Sequence, residues 1–468
     1  MSATFHGLEI AKSGLTAAQI AVNVANQNVA NANTEGYTRQ SVNQTSVSAG
    51  LGPFQYAPGE VSVGQGVSVS AINQNRDAYL DTRYRNANAV YGTYATTLSA
   101  LKSVASVLDE TDTDGLNVAF ADFYSALQDL VSNDSGTEYR SLVRSAGEKV
   151  ADILNEYASQ LEQIEDELHY DLTLSVADLN NLLVKINELN KNISIATVNG
   201  TNCNELLDQR NLYLDKVAGY ANITVETLLN GSVSITSGGT ALLDATTGTV
   251  TTLSVGSDAA GAAIFDGGGN KVEFTQGIFK GLLQTMNGKG IYAGAGEESF
   301  RGVGYYKTSL DNLAAAFAET YNTLNAANGD LFVTSDGSAT VTAANIRISD
   351  DWRQSAAYLD TSGTVPTDMK AAMDAATAIS SDFTGTFEEY SSLLMGTIGL
   401  DTAYYSDMSA AKSSILESIQ DDRESISGVS IDEETVNTIV FQKAYQAAAR
   451  LMTVLDEMLD TLINNMAV

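Results

Sequence analysis

The chain has 468 residues, 44% of them hydrophobic, and its 25 lysines and arginines face 57 acids for a formal charge of −32. That length predicts two to four domains, and the apolar content is enough for packed cores, which excludes wholesale disorder. Without a basic run, nucleic acid is excluded as a partner and an anionic membrane surface is disfavoured, so the acidity suits a surface kept soluble at high local density.

Residues 1–34 read as a helix. Leu8, Ala11, Leu15, Ala18, Val22, Ala25, Val29 and Ala32 are spaced alternately by three and four, the signature of a narrow seam facing a partner helix. Asn23, Asn26, Asn28, Asn31 and Asn33 crowd its second half, so alone it should be marginal. Met1 to Gly14 lacks a basic stretch followed by an apolar run, so no secretory signal peptide is expected there. No run of about 18 apolar residues occurs anywhere, so no membrane span is expected. A glycine-rich loop follows from Gly36 to Gly66, where Val61, Val63, Val67 and Val69 suggest short extended pieces.

Helix is predicted from Arg76 to Leu108, is broken by the acidic turn Asp109–Gly115, and resumes from Val118 to Ser132. Glu148 to Asn199 holds no glycine or proline. Its row Leu154, Tyr157, Leu161, Ile164, Leu168, Leu172, Val176, Leu179, Leu183 and Ile186 predicts a rod of roughly 75 Å. From Gly219 the texture turns β-branched, with Ile223 to Val225, Val233 to Thr236 and Val250 to Val255 between glycine turns, as in a small antiparallel β domain. Helix returns from Thr308 to Ala327. Residues 329–365, with the single tryptophan Trp352, are mixed and turn-rich. From Thr367 to the end helices are predicted, with turns near Gly385, Gly396 to Gly399 and Ser427-Gly428. The closing row Val440, Ala444, Ala447, Leu451, Val454, Met458 and Leu462 is a second seam, with Met458 and Met466 as filler.

The expected fold is mainly α with a β insert. A terminal-helix coiled coil would comprise 1–75 with 430–468, a long-helix bundle domain 76–218 with 300–429, and a small outer antiparallel β domain 219–299. Chains whose two most seam-like helices lie at opposite ends are built for assembly rather than catalysis. An exposed seam is also an aggregation hazard before assembly, a physical reason for a chaperone.

No chemistry competes with that reading. The two histidines, His6 and His169, are far apart and form no zinc motif. Glu110, Asp112, Asp114 and Gly115 fit the start of a calcium loop, but its twelfth place is Ala121 where a glutamate is required, so a solvated turn is expected. No phosphate loop and no nucleophile elbow occurs. The lone Cys203 allows no intrachain disulfide and has no catalytic partner in the sequence. No enzyme activity, cofactor or metal is expected.

The stretch Val24 to Gln40, VANQNVANANTEGYTRQ, resembles the amino-terminal motif of the axial proteins of the bacterial flagellum: rod, hook and hook-associated proteins. Asn28, Ala30, Asn31, Asn33, Thr34, Gly36, Tyr37 and Arg39 carry the likeness. Ile426 to Glu434 and Phe441 to Arg450, the latter with Gln442 and Tyr445, are similar to the carboxy-terminal motif of the same group. Three features are similar to its hook–filament junction members rather than to hook or rod proteins. They are the Ile426-Ser427-Gly428-Val429 opening, Leu206 to Arg210 after the rod helix, and Ala121 to Val131 with Ser132-Asn133. The β region carries no matching motif.

The resemblance implies a structural, self-assembling protein that polymerises at the distal end of the hook and connects it to the filament. It would form a lattice ring around an export channel, extracellular, at the hook–filament junction. Implied partners are other copies of itself, hook protein, hook-associated protein 3, an export chaperone and the type III export apparatus. The alternatives are a hook or distal rod protein and, more remotely, a secreted adhesin with a β ligand module. The assembly residues would be Leu8, Leu15, Val22, Val29, Leu451, Val454, Met458 and Leu462 of the seams, with Asn28, Asn31, Asn33, Gly36, Tyr37, Arg39, Gln442 and Tyr445 of the motifs. The Asn28–Tyr37 stretch also fits a plain helix exit capped by Gly36. The run Asp432-Glu433-Glu434 fits favourable charge at a helix N-terminus, with Ser430 and Glu433 as a capping box, or a lattice salt bridge to Arg39.

Overall fold

The structure, a computed structural model, describes residues 2–47, 64–108, 115–133 and 136–461, with the backbone alone for 2–5. The first helix, α1 (Ser2–Ala30), buries a face of small residues, Ala11, Ala17, Ala18, Ala21 and Ala25. It stops four residues short of the expected end. Asn31 Nδ2 donates back to the Gln27 carbonyl, and the chain leaves through turns in which Thr34 N–H reaches Asn31 O and Tyr37 N–H reaches Thr34 O. Gly36 therefore does not cap α1. It adopts φ +80° in the following turn, where a Cβ would stand 3.2 Å from Leu212 Cβ.

Strands β1 (Gln40–Ser46) and β2 (Val67–Gln74) form an antiparallel ribbon with a bulge at Asn43/Gln44. Val67 and Val69 lie on β2, whereas Val61 and Val63 fall outside the described residues. Helices α2 (Ala78–Leu108) and α3 (Leu116–Ser132) follow. Residues 109–114 of the acidic turn also lie outside the described residues.

The rod helix α4 (Thr137–Asn199) is 63 residues long, roughly 95 Å. It begins eleven residues before Glu148 and runs through Gly147, which is a packing position. A Cβ there would come within 3.0 Å of Trp352 and 3.3 Å of Phe332. Every residue of the predicted apolar row is buried. The rod ends at Gly200 in the left-handed conformation, φ +66°.

Helix α5 (Asn204–Tyr220) leads into two small antiparallel sheets. The first is β3 (Thr224–Thr227), β4 (Val233–Ser237), β5 (Thr240–Asp244) and β6 (Thr249–Val250). The second is β7 (Ser254–Asp258), β8 (Gly261–Phe265) and β9 (Lys271–Val272). Three asparagines of α4 pin them as a strand edge would. Asn180 Nδ2 donates to Leu253 O (2.8 Å) and its Oδ1 accepts from Leu253 N–H (2.9 Å). Asn190 does the same to Val233 at 2.8 and 3.0 Å, and Asn187 Nδ2 donates to Gly248 O (3.0 Å).

Helix α6 (Ile278–Asn287) returns to the bundle, with Gly281 against Thr93 and Thr96 of α2. Then come α7 (Val303–Leu324), the ribbon β10 (Phe332–Thr334) with β11 (Ile346–Ile348), α8 (Asp350–Gln354) and α9 (Val365–Asp374). The expected helix past Thr367 is interrupted by a hairpin, β12 (Thr377–Ser380) with β13 (Phe383–Gly385). Conversely, α10 (Phe387–Ser427) runs unbroken through Gly396 and Gly399, where turns were expected. A full capping box of Thr386 and Glu389 starts it, and 41 residues of helix absorb the modest cost of two glycines. The last helix, α11 (Ile431–Asp460), follows the break at Gly428. The bundle core is aromatic. Phe317 lies 4.8 Å from Tyr321, 5.0 Å from Phe332, 5.4 Å from Phe387 and 5.5 Å from Phe123, between ring centroids. Trp352 closes it edge-on against Phe332 at 5.6 Å.

Candidate assembly site at the paired chain ends

The ends of the chain meet. Helices α1 and α11 lie side by side and antiparallel: a Cβ on Gly7 would stand 3.5 Å from Leu455, one on Gly14 would stand 3.9 Å from Ala448, and Asn28 bonds Glu434. Seven residues forward along α1 are matched by seven back along α11, a register kept over four turns or more. The glycines and alanines of α1 allow this close approach.

Only one of two apolar rows on α11 is used. Phe441, Ala448, Met452, Leu455 and Leu459 are half-buried. The row marked in the sequence is turned away from α1: Val440, Ala444, Ala447, Leu451, Val454 and Met458 are exposed, the last three at 47, 49 and 49%. Val436 and Ile439 extend that stripe, Gln442 is exposed, and Tyr445 lies at its border at 38%. On α1 the alanines of the marked row are buried up to Ala25, while Leu8, Leu15, Val22 and Val29 are half-buried. Leu462 and Met466 fall outside the described residues.

At the mouth of the pair sits a polar hub. Asn28 is buried and all four of its side-chain bonding positions are filled. Its Nδ2 donates to Gln40 O (2.9 Å) and Glu434 Oε2 (3.1 Å), and its Oδ1 accepts from Tyr37 OH (2.9 Å) and Gln40 N–H (3.0 Å). Glu434, also buried, accepts from Arg39 at 2.8 and 2.9 Å, and Arg39 reaches Glu433 at 3.2 Å. Burial, followed by the nearby charges of Asp208, Glu205 and Glu434, pushes Tyr37 up to about 12 and keeps its hydroxyl a donor.

For the acidic run, the Ser430 cap is present as expected, whereas the pair with Arg39 is made within the chain. Ser430 caps α11 by accepting from Glu433 N–H, while the Glu433 carboxylate pairs with Arg39 of the same chain. Asn31 bonds its own helix and Thr34, and Asn33 is exposed.

Of the residues that hold this hub to the bundle, the sequence marked only Asp208, as part of the Leu206–Arg210 motif and with no role attached. The first turns of α5 supply them. Glu205 accepts from Gln27 (2.7 Å), Asn204 Nδ2 donates to Gln40 Oε1 and Ile72 O, and buried Asp208 accepts from Thr38 N–H (3.2 Å) and Gln74 Nε2 (2.8 Å). Desolvation raises the Asp208 carboxyl above the usual carboxylate range, against the pull of its Thr38 bonds. Below it a buried ionic cluster ties three helices. Asp215 of α5 pairs with Arg85 of α2 (2.8 Å) and Arg423 of α10 (2.6 Å), and Asp81 of α2 pairs with Arg76 (2.6 Å) and Arg423 (3.6 Å). A signal existed: Asn204, Asp208, Asn211 and Asp215 fall at helical spacing on one face. A polar face, however, reads as solvated until something is found to cover it. A cleft of about 780 Å³ opens between the 32–39 turn and the end of α10, lined by Tyr37, Arg76, Tyr84, Lys216 and Arg423. Among the described residues no cluster of His, Cys, Asp and Glu fits a metal ion, and no helix is long and apolar enough to cross a membrane.

Ends that pair with each other around an outward apolar stripe define the class, and sequence comparison agrees. Residues 8–38 match the family model "Flagella basal body rod protein", and 423–466 match "Flagellar basal body rod FlgEFG protein C-terminal". This is an axial protein of the flagellum.

Residues 101–339 match "Flagellar hook-associated protein FlgK helical domain". Over its whole length the chain is 31% identical to flagellar hook-associated protein 1 of Bacillus subtilis (strain 168), with 100% of this chain and 99% of that relative aligned. It is 24% identical to the protein of the same name from Escherichia coli (strain K12), over 97 and 98%. The solved structure of the flagellar hook junction protein FlgK from Burkholderia pseudomallei aligns at a TM-score of 0.46 with 21% identity, over 54% of this chain and 46% of that one. The chain belongs to the flagellar hook-associated protein 1 family.

Proposed function

We propose that this chain is the structural junction subunit that polymerises on the distal end of the hook and joins it to the filament. The observation that carries the reading is the outward apolar row of α11, Val440 to Met458, beside a pair of chain ends already held in register. A continuous apolar stripe on a soluble chain asks for a partner, and a chain of this family meets copies of itself. The same reading names hook protein below and hook-associated protein 3 above as neighbours. It assigns delivery to the type III export apparatus with a chaperone over the carboxy-terminal stripe, and places the subunit outside the cell at the hook–filament junction. It keeps the three-part division, with 1–75 and 430–468 innermost, 76–218 and 300–429 as the surrounding bundle, and 219–299 outermost. The chain's role is mechanical, and no catalytic step is assigned to it.

Deletion in the source bacterium tests this. Normal hooks without filaments, with flagellin shed into the medium, are expected. Loss of hooks would instead support a hook or rod role, and intact filaments with lost attachment an adhesin; either overturns the proposal.

A further inference from the structure

We infer that α5 is the joint that sets how the paired chain ends sit on the bundle, with Asp208 as its positioning residue toward the ends and Arg210 as its anchor toward the first β sheet. The two lie two residues apart in the Leu206–Arg210 motif, which the junction role leaves unexplained.

The helix has two buried faces with different duties. On one, Asn204, Asp208, Asn211 and Asp215 recur at intervals of four, three and four, the spacing of a single helical face. Asn204 and Asp208 hold the β1–β2 ribbon and the 38–40 backbone. Asn211 accepts from Arg85 (3.2 Å), and Asp215 takes Arg85 and Arg423. Thus one row of four side chains links the terminal unit to α2 and α10. On the other face Arg210, Leu214 and Val217 are buried. Arg210 Nη1 donates to Gly231 O in the β3–β4 turn and to Asn190 Oδ1 of α4 at 3.4 Å. Gly231, at φ +81°, sits so close to α4 that a Cβ would meet Thr197 Oγ1 at 3.0 Å.

Among the described residues, Asp208 is the one group on α5 that accepts from both a backbone N–H of the segment leading into β1 and a side chain of β2, so it fixes both ends of the ribbon's attachment at once. Being buried, those acceptor positions cannot be replaced by water without cost. Removing it should free the terminal unit to pivot. Removing Arg210 should loosen the β3–β4 turn and leave the terminal unit in place. Nothing in this requires the hook–filament role, and it is measurable on the isolated full chain.

The test uses nitroxide pairs in a Cys203→Ser background. Gln19→Cys with Ser418→Cys reports the terminal unit against α10, and Thr227→Cys with Glu167→Cys reports the first sheet against α4; all four sites are exposed. In the parent each pair should give one narrow distance distribution. Asp208→Ala should at least double the width for the 19–418 pair and leave the 167–227 pair unchanged, while Arg210→Met should do the reverse. Asp208→Asn, which keeps one acceptor oxygen, should fall between parent and Asp208→Ala. An unchanged 19–418 width in a helical, folded Asp208→Ala overturns the proposal. So does equal broadening of both pairs by either variant, which is what a merely structural loss would produce. Should Asp208→Ala fail to fold, Asp208→Asn decides: an unchanged 19–418 width overturns the joint.

Discussion

Helices α4 and α11 carry apolar rows of the same kind, and the molecule treats them in opposite ways. Leu154 to Ile186 of α4 are buried by the chain's own helices and sheets. Val440 to Met458 of α11 stand open, although a neighbouring row on the same helix packs against α1. Periodicity announces that a face needs a partner and says nothing of whose. In the bundle the partner is intramolecular and the stability belongs to the single chain. At the ends it is only half intramolecular, and the outward row of α11 stays open.

That contrast can be broken at several points. The largest effect on the isolated chain is expected in the bundle. Phe317→Ala removes the centre of the aromatic cluster and should cost about 3–5 kcal/mol, read by denaturant unfolding monitored by far-ultraviolet circular dichroism. A loss under 1 kcal/mol would mean the bundle is not the stable half. At the hub, Glu434→Ala leaves Arg39 with only its pair to Glu433 and strands one donor of Asn28. Because Arg39 is a quarter exposed, roughly 2–3 kcal/mol is expected, seen as faster amide exchange at residues 28–40 with the bundle unchanged.

Gly36→Val forces a β-branched residue into φ +80° against Leu212 and should cost about 1–3 kcal/mol in the same local exchange. The sharpest comparison lies between two leucines one helical turn apart on α11. Leu455→Ala, which loses the contact with α1, should cost about 1–2 kcal/mol, whereas Leu451→Ala should stay within about 0.5 kcal/mol in the isolated chain. In cells the order should invert, with Leu451→Glu abolishing filament attachment while the purified chain folds normally. Wild-type motility in Leu451→Glu would deny the outward row its role.

The smallest effect is the pH dependence of the hub. Tyr37 is raised in the folded chain, so its contribution should be complete below about pH 10, the ordinary phenol value. It should be lost as pH rises through about 12. A difference titration of phenolate absorbance against Tyr37→Phe would show it, and titration of Tyr37 with the exposed tyrosines would refute it.

Much of the fold was legible because its signals are local. The seams, the rod, the β texture after Gly219 and the break at Ser427-Gly428 all follow from spacing and turn chemistry. What misled was local chemistry overruled by distant packing. The glycine-free stretch from Glu148 set the start of the rod too late, because Gly147 lies inside α4 as a seat for Trp352. Gly396 and Gly399 looked like a turn and lie inside α10. The Asn-rich exit looked capped by Gly36, yet α1 is ended earlier by Asn31 bonding its own backbone. At the site, the motif residues Asn28, Tyr37 and Arg39 stood out in the sequence, and the structure gathers them with Glu433 and Glu434. Asn204, Asp215, Arg85 and Arg423 stayed hidden, and Asp208 was marked only as a motif residue, since buried polar residues look like surface until their partners arrive, some more than a hundred residues away.

By itself the sequence determined which faces of the helices are apolar, where chain direction breaks, and which family the ends resemble, because side-chain spacing around a helix is settled within a turn or two. Only the tertiary structure decided which apolar row of α11 meets α1 and which stays open, and that a polar helix, α5, lies buried between the terminal unit and the bundle. Those outcomes depend on which of several compatible faces wins when groups far apart in the chain compete for the same burial and the same hydrogen bonds, a contest that no local spacing encodes.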